Sequence, residues 1–264
     1  MKNTIVSRLP ASYPWRGNIH DFDTIDSTNT RAKQMAAEGA PHGTVLIADS
    51  QTGGRGRMGR SFHSPSGSGI YLSMILRPGC PAKELLHLTC ATAVAAADGI
   101  QAATGLRPKI KWTNDLVVGQ QKLGGILTEL SLNSAGNVDF AVIGIGINCT
   151  QIAGDFPHEI QTIATSLHLA TGQVIDRAAV IAQILVALQN MSEDLQNPAA
   201  TLSRYCQDCI TIGQDISLLR GDEIRHGKAL DVDETGALVV QFTDGQTQAV
   251  QSGEVSVRGM YGYV

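Results

Sequence analysis

The chain has no apolar run of the roughly 18 residues that a membrane-crossing helix needs. Its first ten residues, MKNTIVSRLP, lack the apolar segment of a secretory signal. It also lacks a basic surplus: the formal net charge is −4, and only 17% of residues are charged. Proteins whose main task is gripping nucleic acid carry such a surplus. Any basic patch here must be local, on the scale of a small anionic ligand. There are five cysteines, Cys80, Cys90, Cys149, Cys206 and Cys209. An odd number scattered through apolar stretches reads as reduced thiols of a cytoplasmic protein, not as a disulfide framework. Cys206 and Cys209 form a C-x-x-C with no second pair nearby to complete a zinc site, so they read as ordinary thiols near a helix end.

What is present is 264 residues at 43% hydrophobic content, enough for one larger domain and one small one. The periodicities predict an α+β fold with two parts, divided near residue 210. In residues 1–210, Ser27 has the side chain of an N-cap, with Ala32, Met35 and Ala36 at helical spacing behind it and Gly39 placed to end the helix. Strand patterns cover 44–48 and 70–76, and Pro81 sits where a long helix to Gly105 begins. Three strand patterns with short turns follow at 109–118, 123–132 and 138–148, an antiparallel meander. Asp176 caps a further helix. In residues 211–264, five short strand candidates separated by turn residues predict a small SH3-like β-barrel.

Between the strands at 44–48 and 70–76 lies a loop, 51–69, with six glycines and one proline. Its core, Gly54-Arg55-Gly56-Arg57-Met58-Gly59, fits G-x-G-x-x-G letter by letter. The dinucleotide reading of that motif needs a helix starting at the glycines and an acidic residue about 20 positions on. Poor helix material follows instead, and no Asp or Glu occurs between Asp49 and Glu84. No Walker lysine is present either. What remains is a mobile glycine loop carrying Arg55, Arg57 and Arg60. Glycine lets backbone N–H groups approach phosphate, and guanidinium supplies forked permanent charge. Taken alone, the loop is also compatible with a solvated basic surface.

Three further segments concentrate unusual residues. Lys111-Trp112-Thr113-Asn114-Asp115 clusters a cation, an amide and a carboxylate beside a large aromatic. Lys122-Leu123-Gly124-Gly125-Ile126-Leu127 and Gly144-Ile145-Gly146-Ile147-Asn148 place glycines inside apolar strands, where they mark either close packing or a ligand's approach.

In this order, together with Ser27-Thr28-Asn29, Gln51 and Ser256-Val257-Arg258, these segments resemble the biotin–protein ligases over about residues 22 to 259. The resemblance implies a mixed or antiparallel sheet flanked by helices, related to class II synthetases, with the SH3-like barrel behind it. It implies ATP-dependent activation of biotin to biotinyl-5′-AMP and transfer to a lysine of a carboxylase's biotin carrier domain, with Mg²⁺ accompanying ATP. Ser27, Thr28, Asn29 and Gln51 would hold the polar biotin ring, and Gly124 and Gly125 would border its acyl tail. Arg55, Gly56, Arg57 and Arg60 would close over biotin and the phosphates. Lys111 would bridge the biotin carboxylate and the α-phosphate, and with Arg55 and Arg57 it is the catalytic candidate. Phe62, Asn114, Asn148 and Arg258 would lie with the nucleotide.

Two positions depart from that pattern. Thr113 replaces a common proline, which would free Lys111 and Asn114 from a fixed turn. Phe62 stands where some relatives have tryptophan on adenine. Metal ligands are not assignable, although Asp115 is conceivable. About twenty residues precede the first motif, too few for the helix-turn-helix of repressor members, so no DNA binding is expected. The meander edge is a place for a second copy to pair. The alternatives are a lipoate-type protein ligase, or a non-catalytic RNA- or anion-binding module.

Overall fold

A computed structural model of the chain describes residues 1–251 and 256–259; within 256–259 only the Val257 side chain is described. The helices are α1 (Lys2–Arg8), α2 (Thr28–Ala37), α3 (Leu88–Thr104), α4 (Leu167–Thr171), α5 (Arg177–Glu193) and α6 (Pro198–Asp208). The strands of the larger part are β1 (Ile19–Ile25), β2 (Val45–Gln51), β3 (Gly69–Leu76), β4 (Lys109–Lys111), β5 (Asp115–Val118), β6 (Gln121–Leu132) and β7 (Val138–Asn148). The smaller part contributes β8 (Asp215–Arg220), β9 (Glu223–Val232), β10 (Leu238–Phe242), β11 (Thr247–Val250) and β12 (Ser256–Gly259).

Seven strands form one mixed sheet in the order β1-β2-β3-β7-β6-β5-β4. Only β1 and β2 run parallel, with α2 as their crossover; the meander β4 to β7 is antiparallel. The period-2 alternation of strands decides which face each residue serves. Ile70, Leu72, Met74, Ile143, Ile145 and Ile147 join the large core with residues of α3 and α5. Ile75 and Val142, of opposite parity, pack with Ala32 and Ala36 of α2. Helices thus cover one face fully, while α2 covers only part of the other. The remainder of that second face is the floor of a cleft.

Local chemistry accounts for the helix ends. The Ser27 hydroxyl accepts from the Thr30 N–H and Asp176 from the Ala179 N–H. Beyond α2, Gly39 takes φ +94°, the left-handed conformation that glycine adopts without strain. Gly99 lets α3 and α5 close together, since a Cβ there would lie 2.5 Å from Ile184 Cα.

Three expectations need correction. The pattern at 109–118 is two strands with a turn at Trp112-Thr113-Asn114, not one strand. Pro81 precedes a short 3₁₀ turn, Ala82–Leu85, and α3 begins only at Leu88. The five C-terminal strands all form, but they do not close into a barrel. Their order is β11-β10-β9-β8-β12, and among the described residues β11 pairs only with β10 and β12 only with β8. The sheet stays open because its apolar face is already covered. Ile216, Leu218, Ala229, Leu238 and Val240 belong to the same buried cluster as Leu88, Ile110 and Trp112 of the larger part. A sheet whose apolar face rests on a neighbouring layer needs no closure to bury it.

Candidate active site

The cleft floor is made by strand register. Gly144 of β7 lies between Ser73 of β3 and Leu127 of β6, and Gly146 lies between Tyr71 and Gly125. The Gly-Ile-Gly-Ile alternation therefore sends isoleucines into the core and leaves the cleft side without side chains. The room has been taken by neighbours: a Cβ on Gly144 would sit 2.0 Å from Asn29 Oδ1, and one on Gly146 would sit 2.8 Å from Phe62 Cε1. Close ligand approach and close packing, the two readings of these glycines, coincide here.

One wall is the start of α2. Gln51 Oε1 accepts from the Thr28 N–H at 2.9 Å and from its hydroxyl at 3.1 Å. Ser73 Oγ lies 2.8 Å from Thr28 Oγ1 and 2.6 Å from Asn29 Oδ1. The Asn29 amide donates to Leu127 O at 3.2 Å and to Glu129 Oε2 at 3.0 Å. Ser27, Thr28 and Asn29 are all buried, so this wall is a fixed array of donors and acceptors.

The opposite wall is the turn between β4 and β5. Lys111, Trp112 and Thr113 are buried. The Trp112 N–H donates to Thr211 Oγ1 at 2.9 Å and its indole N–H to Gly236 O at 3.0 Å. Tyr205 of α6 donates to Thr113 O at 3.1 Å; burial drives its phenol pKa far up, so it remains a donor. Asn114 exchanges hydrogen bonds with Ile126, both at 2.9 Å. Replacing proline by Thr113 therefore does not free the turn, because partners from distant segments hold it instead.

The glycine–arginine loop is the roof. It doubles back through an Arg55–Ser61 bridge and the Gly56 N–H bond to Arg60 O at 2.7 Å. Arg57 spans the cleft to Asn114 Oδ1 at 2.9 Å, and Arg55 reaches to within 3.7 Å of Glu129. No helix follows the glycines, as expected from the residues after them; only a 3₁₀ turn, Arg57–Gly59, occurs.

The structure thus brings Ser27, Thr28, Asn29, Gln51, Arg55, Gly56, Arg57, Arg60, Phe62, Lys111, Asn114 and Gly125 around one cleft. It places two elsewhere. Gly124 serves close strand packing, where a Cβ would meet Gly146 O at 2.4 Å. Asn148 is buried at the end of β7 with its amide donating to Thr165 O at 2.9 Å. Arg258 falls on β12 opposite Ser217, and its side chain is outside the described part. Its neighbour Val257 does line the cleft.

Sequence reasoning passed over several contributors. Lys122 was only the first letter of a strand motif, yet it lines the cleft and holds Asp115 at 2.5 Å. Ser73, Ser64 and Glu129 were not singled out. The signal was faint: Ser73 and Glu129 are single polar residues at alternate positions of apolar strands, which also describes any half-exposed strand. Among the described residues that line the cleft, Asp115 is the acidic one. No group of three or more His, Cys, Asp or Glu able to hold a metal occurs among the described residues. Cys206 and Cys209 lie at the end of α6 as free thiols.

Residues 22–148 match the Biotin/lipoate A/B protein ligase family, and residues 211–258 match the Biotin protein ligase C terminal domain. The bifunctional ligase/repressor BirA of Bacillus spizizenii is 40% identical over 225 residues, covering 84% of this chain and 69% of that protein. The biotin–[acetyl-CoA-carboxylase] ligase of Mycobacterium tuberculosis is 32% identical over 236 residues, covering 87% of this chain and 85% of that protein. A solved structure of the biotin protein ligase from Aquifex aeolicus, in complex with biotin and ATP, superposes with a TM-score of 0.78 at 30% identity, over 92% of this chain and 99% of that one. With both segments matched and the fold shared over nearly its whole length, the chain belongs to the biotin–protein ligase family.

Proposed function

We propose that the chain activates biotin with ATP and transfers it to a lysine of a biotin carrier protein, and that the cleft described above performs both steps. In the first step a biotin carboxylate oxygen attacks the α-phosphorus of ATP and pyrophosphate leaves, giving biotinyl-5′-AMP. In the second, the carrier lysine's amine attacks the acyl carbon of that mixed anhydride, AMP leaves, and the amine loses its proton.

The observation that carries this reading is the convergence of three distant segments on one cleft: the polar start of α2, the buried Lys111–Asn114 turn and the arginine roof. Both reactants are anions, so their approach must be offset by fixed cations. Lys111, half-exposed Lys122 and the arginines supply them. No general base is required for the first step, because the carboxylate is already ionised. Positioning and charge then account for most of the acceleration. In this reading Ser27, Thr28, Asn29 and Gln51 hold the polar ring, whose urea-like group needs both donors and acceptors, and Gly125 leaves space beside the chain of the acid. Arg57, Arg60, Phe62 and Asn114 take the nucleotide side. The roof keeps water from the anhydride.

ATP enters as its Mg²⁺ complex. Mg²⁺ on nucleotide phosphates needs only one or two protein carboxylates, and Asp115 would be the one offered among the described lining residues. A division near residue 210, catalytic part before and small sheet after, belongs to the same proposal, as does a carboxylase carrier domain as acceptor. Five unpaired thiols support work in a reducing compartment, the cytoplasm. No helix among the described residues is long and apolar enough to cross a membrane. For a homodimer, the sheet edge open to a second copy is β1, since the meander edge at β4 is bridged by Cys209 to Ile110.

The test is acid-dependent exchange of pyrophosphate into ATP, followed by mass analysis of a carrier domain. Biotin should drive exchange, and the carrier lysine should gain one biotinyl group. Exchange with lipoate but not biotin would overturn the substrate; exchange with neither would overturn the enzyme.

A further inference from the structure

Glu129 lies on β6 on the cleft side of the sheet, opposite Val142. Its carboxylate is shared by three residues from two other elements. Oε1 accepts from Lys33 Nζ at 2.7 Å and faces Arg55 at 3.7 Å; Oε2 accepts from Asn29 Nδ2 at 3.0 Å. Its side chain is only 22% exposed. Burial pushes its pKa up, but hydrogen bonds from Lys33 and Asn29 and the charges of Lys33 and Arg55 outweigh burial and hold it below the usual carboxylate range. It is therefore an anion wherever the chain works near neutral pH.

The two arms act on different machinery. Asn29 Nδ2 faces two acceptors, Leu127 O and Glu129. That arrangement fixes which end of the carboxamide is nitrogen, and so points Oδ1 at Ser73 and the cleft floor. Arg55 is the first arginine of the roof. The roof is tied to the Lys111–Asn114 turn through Arg57 and to β6 through Arg55. Removing Glu129 takes away the second tie and half of what orients the first ring-binding amide.

We infer that Glu129 is a positioning residue that docks the arginine roof through Arg55 and sets the orientation of the Asn29 carboxamide, so that one carboxylate couples ligand recognition to closure. The inference rests on the ligase reading above. Two substitutions separate the arms. Glu129→Gln keeps an acceptor for Asn29 and removes the charge that Arg55 meets. Glu129→Ala removes both.

The experiment preloads each full-length variant with biotin and ATP, then follows release of free biotinyl-5′-AMP and, separately, the KM for biotin in the exchange assay. Glu129→Gln should release the adenylate about threefold faster than wild type, the scale of one partly exposed ion pair, with KM for biotin near wild type. Glu129→Ala should show faster release and a raised KM. The double variant Arg55→Ala/Glu129→Gln should release no faster than the worse single variant, because one contact cannot be lost twice. Additive release rates, or a Glu129→Gln release rate equal to wild type, would overturn the docking role. An unchanged KM in Glu129→Ala would overturn the orienting role. A wild-type chain that forms no adenylate from biotin would instead overturn the ligase reading itself.

Discussion

The turn and the roof that bound the cleft are built in opposite ways. The Lys111–Asn114 turn is rigid: Lys111 is 8% exposed, Trp112 5% and Thr113 3%. Three of its hydrogen bonds go to residues about a hundred positions away, Tyr205, Thr211 and Gly236. The arginine roof is light: Met58 is 60% exposed and the Arg55 side chain 48%. Its anchors are side-chain contacts at the cleft rims. Preorganised charge is what stabilises a transition state; a removable cover is what admits substrate and keeps water from an intermediate. The contrast assigns rate to the turn and retention to the roof.

The largest test of that division is Lys111→Ala. Adenylate formation should fall by about 10²-fold, the typical cost of removing one preorganised charge contact, with little change in how fast preformed adenylate escapes. Near-normal pyrophosphate release would remove Lys111 from its role and move the weight to Lys122, the other lysine of the cleft. Next is Arg57→Ala, which removes a charge-assisted bond to Asn114. Adenylate escape should rise about tenfold, the lower end of what a hydrogen bond of about 1.5–3 kcal/mol to a charged group implies. If formation fell as far as escape rose, rate and retention would not separate. Gly144→Ala probes the floor that both sides share. Its Cβ would lie 2.0 Å from Asn29 Oδ1; overpacking of about 1–3 kcal/mol should lower the melting temperature, and displacement of Asn29 should raise the KM for biotin, measured in the exchange assay.

The same contrast separates what could be read from the sequence from what could not. The roof was legible because its chemistry is local: glycines, arginines and the missing acid all lie within one loop. The Ser27 cap and the five C-terminal strands were legible for the same reason. The turn was not. Ile110, Trp112, Leu116 and Val118 keep one alternation that only Asn114 interrupts, and the partners that hold the chain at Trp112 and Thr113 come from α6 and the residues beyond it. Lys122 and Glu129 look like ordinary strand polar residues until Asp115 and Arg55 are brought to them. Barrel closure is not legible in the sequence, because the number of strands says nothing about which edges pair, and here the larger part covers the apolar face.

The smallest predicted effect tests whether the rigid turn owes its rigidity to α6. Three residues of that helix reach it or its strand: Tyr205 through Thr113 O, Gln207, whose carbonyl accepts from Lys109 at 3.4 Å, and Asp208, which accepts from Lys109 at 3.0 Å and from Arg107 at 2.5 Å. Burial raises the Asp208 pKa, but Arg107 and Lys109 outweigh it, so the folded value lies below the ordinary one. A depressed carboxylate stabilises the fold above its unfolded pKa, and that contribution disappears as pH falls through the folded value. Asp208→Asn should therefore lower Tm at neutral pH, with the gap to wild type closing on acidification. Tyr205→Phe, which strands a buried carbonyl at a cost of about 1–3 kcal/mol, should lower Tm with no such pH dependence. Both should slow adenylate formation a fewfold while leaving escape of preformed adenylate unchanged. If either variant sped escape instead, α6 would be supporting the roof through Arg57 and Asn114, and the two sides of the cleft would be one mechanical unit.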